Sequence, residues 1–114
     1  MSSQMSRATN RIVQTCRDIL ASYYGPRFKG LVLYGSAARE QASAESDIDL
    51  LVLLREPFDH IEELGRIIDL LYPVQLQAEQ LVSAKPAAAS EFAVGKLQLY
   101  RNAKREGKFY DAQV

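Results

Sequence analysis

Residues 31–54 read LVLYGSAAREQASAESDIDLLVLL, and the two apolar runs inside them decide the fold. The first run, residues 31–34, stops at Gly35-Ser36. Ten residues later comes Asp47-Ile48-Asp49, followed at once by the second run, residues 50–54. Runs of this length, rich in Leu and Val and bounded by small polar residues, read as buried strands. A buried strand seldom opens with two carboxylates, because an isolated buried charge is costly unless cations or hydrogen bonds compensate it. A conflict between local rule and position is where a functional site belongs.

Outward from this stretch the pattern is helical on both sides. Ile12, Val13, Cys16, Ile19, Leu20 and Tyr23 form one stripe of a helix that Gly25-Pro26 ends, with Cys16 as core. A first strand is expected over about residues 29–34, a short helix over 36–40, an exposed loop over 41–46 and a second strand over about 48–54. Phe58, Ile61, Leu64, Ile67, Ile68 and Leu71 mark a second long helix, which Pro73 is expected to stop. Val74, Leu76 and Ala78 then alternate with Gln75, Gln77 and Glu79, which reads as a half-buried third strand over 74–82. Residues 83–89, with Pro86, read as a linker, and a last basic helix is expected over about 90–106 before Gly107. The predicted order is α-β-α-β-α-β-α.

At 114 residues the chain is expected to be one domain, residues 1–114, with ordinary globular composition. No apolar run is long enough to span a bilayer, and a single cysteine excludes an internal disulfide framework, so a cytoplasmic setting is expected. The net charge of zero conceals +5 over residues 1–39, −7 over 40–69 and +2 over 70–114. An acidic centre between basic ends fits a metal site within phosphate-binding surroundings, although solvated helix faces give the same pattern. The basic last helix could touch RNA, but no recognised RNA-binding pattern accompanies it. His60 is the sole histidine, so no histidine metal cluster or Ser/His triad can form within one chain.

The chemistry concentrates at the centre. Residues two apart on a strand face one side, so Asp47 and Asp49 can aim at one point while Ile48 faces the core. Two hard oxygen donors suit Mg²⁺, whose shell is completed by water and substrate phosphates. Gly35 permits close backbone approach to a phosphate, and Ser36 with free N–H groups attracts its charge. Arg39 could add its planar fork.

Strand, Gly-Ser, ten residues, Asp-x-Asp and strand together resemble the minimal nucleotidyltransferases of the DNA polymerase β superfamily. The likeness covers roughly residues 11–82 and extends to the YRNAKREGKFY segment. It implies an α+β nucleotidyltransferase fold, a small mixed sheet flanked by helices. It also implies transfer of a nucleoside monophosphate from ATP or another nucleoside triphosphate to a hydroxyl on a macromolecular acceptor. By resemblance Gly35, Ser36 and Arg39 hold the triphosphate, while Asp47 and Asp49 hold Mg²⁺ or Mn²⁺ and are the catalytic pair. Family members place a third acid on the next strand; here the expected face offers Gln75 and Gln77, then Glu79. A neutral amide cannot accept a proton as a carboxylate does. Glu40 stands where a glycine is usual. A second reading is therefore a weakly active or inactive relative that acts as a nucleotide-binding or protein-interaction module. The resemblance also suggests a protein partner, a HEPN-type helical protein as in toxin–antitoxin pairs, or a homo-oligomer.

Overall fold

The computed structural model describes residues 7–38 and 46–112. Helix α1, Arg7–Tyr24, follows the predicted stripe, but Tyr24 is buried where Tyr23 was expected. Cys16 is fully buried, and that burial pushes its thiol up to about 12, which suits a core residue. A 3₁₀ turn at Gly25–Arg27 leads into β1, Phe28–Tyr34, and a second at Ser36–Ala38 follows it. The helix expected over 36–40 is this single turn as far as Ala38; residues 39–45, including Arg39, Glu40 and nearly all of the expected loop, lie outside the described residues. Strand β2, Ile48–Leu54, pairs antiparallel with β1, Tyr34 opposite Asp49.

Helix α2, His60–Gln77, begins with the Asp59 carboxylate accepting the Glu62 N–H at 3.0 Å. It corrects the strand expected over 74–82, because it runs through Pro73 for one more turn. Val74 continues the helical stripe of Ile67, Leu70 and Leu71 on the core. That packing offsets the roughly 3 kcal/mol a helical proline costs. Leu76, assigned to a buried strand face by alternation, is 67% exposed. Inside the α1–α2 joint the Tyr24 hydroxyl donates to buried Glu63 at 2.7 Å, and the Arg66 Nε lies 3.3 Å from the same carboxylate.

The third strand, β3, is Val82–Ala88, the segment read as a linker. It runs parallel to β2 and forms an edge of the sheet. An edge tolerates Pro86, and small alanines suffice where neighbours press closely. The basic last helix is two: α3, Ala89–Val94, and α4, Gln98–Glu106. They break at Gly95, whose φ of 68° is left-handed and against whose Cα the Arg101 stem packs. Strand β4, Lys108–Asp111, was not foreseen; it pairs antiparallel with β1 and completes the order β3-β2-β1-β4. The chain is thus α+β with a mixed four-stranded sheet, in the order α-β-β-α-β-α-α-β.

Side-chain alternation divides the core. Leu31, Leu33, Ile48, Leu50, Val52 and Leu54 pack beneath α1 and α2. Val32, Leu51, Leu53 and Ala87 face Phe92, Tyr100 and Ala103 of α3 and α4. Gly107 fastens the end of α4 to the sheet: a Cβ there would lie 2.6 Å from the carbonyl oxygens of both Ala103 and Leu33.

Candidate nucleotide site

The site lies on the α3/α4 face of the sheet, at the end of β1 and the start of β2. Asp49 has the parity of Leu51 and Leu53, so its side chain leaves the sheet on that face, as does Tyr34 opposite. Gly35 then takes φ 76°, a left-handed conformation that glycine adopts without strain. A Cβ on Gly35 would come within 2.5 Å of the Asp49 Oδ2. The missing side chain is what lets the carboxylate lie against the turn. The Ala38 N–H donates to the Gly35 carbonyl at 3.2 Å, which leaves Ser36 exposed at the tip. Asp47, just before β2, is also exposed.

Burial raises the Asp49 carboxyl above its usual value, the neighbouring Asp47 raises it further, and Lys85 partly reverses this. Burial and the Asp49 charge likewise raise the Tyr34 phenol. A half-buried Asp49 carboxylate repelled by the exposed Asp47 calls for a cation. Asp47 and Asp49 supply two hard oxygen ligands, a donor set that fits Mg²⁺ or Mn²⁺ with the remaining positions left to water and phosphate. Among the described residues no third His, Cys, Asp or Glu converges on the pair.

The residues considered for a third position stand elsewhere. Gln75 and Gln77 occupy the last turn of α2, and Glu79 the turn after it. Gln75 is committed to structure: its Nε2 donates to the Gln80 carbonyl at 2.9 Å and its Oε1 accepts the Val82 N–H at 2.7 Å. The strand beside β2 instead sets Ser83 level with Asp49 and Lys85 level with Leu51, both on the Asp49 face. Sequence reasoning missed Lys85 because it placed no strand there. Once Ala87 is known to be core, the alternation Ser83, Lys85, Ala87 would have found it. Beside Gly35, a cleft of about 150 Å³ is lined by Tyr34, Leu99, Asn102, Ala103 and Glu106. It is wide enough for part of a nucleotide, and its α4 wall was also unforeseen.

The α+β fold, with its mixed four-stranded sheet, is one that the comparisons with known proteins also find. The model of the nucleotidyltransferase domain family matches residues 13–108, and the chain belongs to that family. A candidate protein adenylyltransferase of Methanocaldococcus jannaschii, MJ0604, is 39% identical over 61 residues, 54% of this chain and 61% of the relative. The match thus spans about six-tenths of that relative's length. A candidate nucleotidyltransferase of Sulfolobus solfataricus superposes with a TM-score of 0.53 at 15% identity, over 89% of this chain and 80% of that one. The mutant toxin–antitoxin complex MntA–HpeT superposes with a TM-score of 0.52 at 20% identity, over 88% and 68%. Both likenesses are of fold.

Proposed function

We propose that this chain transfers a nucleoside monophosphate, AMP first among them, from its triphosphate to a hydroxyl on a protein. The observation that carries the reading is the Asp49 carboxylate lying against Gly35, two residues from Asp47. The acceptor oxygen attacks the α-phosphorus, the bond to the β-phosphate oxygen breaks, pyrophosphate leaves, and the acceptor proton passes to solvent or a nearby base. Gly35 and Ser36 hold the phosphate chain, and the family resemblance adds Arg39, outside the described residues, as a further phosphate ligand. Asp47 and Asp49 hold Mg²⁺ or Mn²⁺, which would neutralise phosphate charge when bound. Lys85 adds positive charge on the same face. Tyr34, Leu99 and Asn102 line the cleft beside Gly35, where part of the nucleotide would lie. The protein acceptor and adenylyl donor are supported by the name of the M. jannaschii relative.

A second reading has its own support. Lys85 and Ser83 stand beside Asp49, where a proton-accepting carboxylate would be useful. On that reading the chain binds nucleotide and acts chiefly by occupying a partner, in keeping with the toxin–antitoxin likeness; a HEPN-type protein in the cytoplasm is the partner that the family resemblance implies. Incubation with Mg²⁺, α-labelled ATP and the co-purifying partner, beside an Asp47→Asn, Asp49→Asn double variant, separates the two. Label on the partner that the variant abolishes supports transfer. An unlabelled but bound partner, with each of the four nucleotides, selects the second reading.

A further inference from the structure

The α2 helix carries a second apolar face that the core does not use. Ile61, Leu64, Ile68, Tyr72 and Leu76 follow one another at intervals of three or four and all face solvent, Ile61 at 83% exposure. Single exposed apolar residues are ordinary, but a continuous line of about 22 Å along one helix is not. Leu81, also exposed, extends the patch towards β3, and a groove of about 330 Å³ lies between that strand and the helix.

Neighbouring groups restrict what can lie there. A strand added to β3 is disfavoured, because Gln75 already takes the Val82 N–H and Pro86, on the same edge by alternation, has none. One border of the stripe is acidic: Glu62 and Asp69 each stand one position beyond Ile61 and Ile68. Arg66, the one cation on that side of α2, is drawn to Glu62 and Glu63, at 2.9 and 3.3 Å. A second copy fits poorly. Antiparallel twofold pairing about the middle of the stripe sets each acidic border against its copy, with Asp69 facing Asp69. A helix with cationic residues along its edge meets the same border with opposite charge.

We propose that the outer face of α2 docks an amphipathic helix of a partner protein whose apolar stripe is bordered by Lys and Arg. This surface is independent of the nucleotide chemistry, since α2 covers the sheet face opposite Asp49.

The test uses two labelled helical peptides of about 18 residues with the same leucine stripe, one bordered by Lys and Arg, the other by Glu. Fluorescence anisotropy against the full chain should show the basic peptide binding at least tenfold more tightly. Ile68→Glu, or Leu76→Glu should the first not fold, should weaken it at least tenfold with the helical circular dichroism intact. Glu62→Lys with Asp69→Lys should reverse the preference between peptides. No binding, equal binding of both peptides, or binding indifferent to the Ile68 and Leu76 variants overturns the proposal. So does a dimer of the chain that Ile68→Glu dissociates, since a second copy would then own the surface.

Discussion

The Asp49 carboxylate rests against the bare Cα of Gly35, in the space where any other residue would carry its Cβ. Gly35→Ala therefore combines a 2.5 Å contact with a φ of 76°, and the carboxylate must move. A loss of about 1–2 kcal/mol in stability is expected from the backbone alone. That lowers the melting temperature by several degrees while leaving the circular dichroism spectrum native. AMP transfer, followed by radiolabel, should fall far more, about 100-fold, because the displaced Asp49 is one of the two metal ligands proposed above.

Asp49→Asn should separate stability from activity. A carboxyl raised in the folded state binds its proton more tightly there than in the unfolded chain. Its ionised form therefore destabilises the fold at neutral pH, and that penalty is relieved as pH falls through the raised folded value towards that of an ordinary carboxyl. The amide removes the penalty. Thermal melts at pH 7 should show the variant equal to or more stable than the parent, with the difference shrinking in acid, while transfer disappears. A variant less stable at pH 7 would contradict the electrostatic account.

Lys85 places its positive charge near the same pair, so it competes with a divalent ion. Lys85→Ala should tighten Mg²⁺ binding by about tenfold, the effect of one charge several ångströms away near a protein surface. Calorimetric titration of Mg²⁺ at fixed nucleotide reads this directly. Unchanged affinity would mean that Lys85 points into solvent whenever the ion is present.

Gln75→Leu should lower stability by about 1–3 kcal/mol, because it leaves the Val82 N–H and the Gln80 carbonyl without their partner. Urea denaturation measures the loss. Mg²⁺ affinity should stay constant, which distinguishes a residue that ties α2 to β3 from a metal ligand.

What the sequence revealed follows from where free energy is concentrated. The strands β1 and β2 are legible because both faces are buried and large aliphatic residues fill them. Helix α1 and most of α2 are legible through one apolar stripe each. Strand β3 is not, because its Ser, Ala and Pro residues gain their burial from neighbours distant in sequence. Pro73 misled for a related reason: local propensity predicts a stop, and Val74 packing overrides it. Strand β4 has four residues paired on one side only, too few for a pattern. At the candidate site, Gly35, Ser36, Asp47 and Asp49 were singled out by the combined signature and the family resemblance, and the fold sets Gly35 against Asp49. Lys85, Ser83 and Asn102 could not be singled out in that way, since each reaches the site through a register or packing relation that only the fold supplies.

The tight seat of Gly107 on Leu33 has a kinetic consequence. It rivets the end of α4 to the strand that leads into Gly35, so the wall formed by Asn102 and Glu106 cannot swing outward without breaking the sheet contact beneath it. On the reading proposed above, a nucleotide would meet an α4 wall already set in place against β1. Binding followed by stopped-flow should then be a single phase, without the lag of a slow movement of α4.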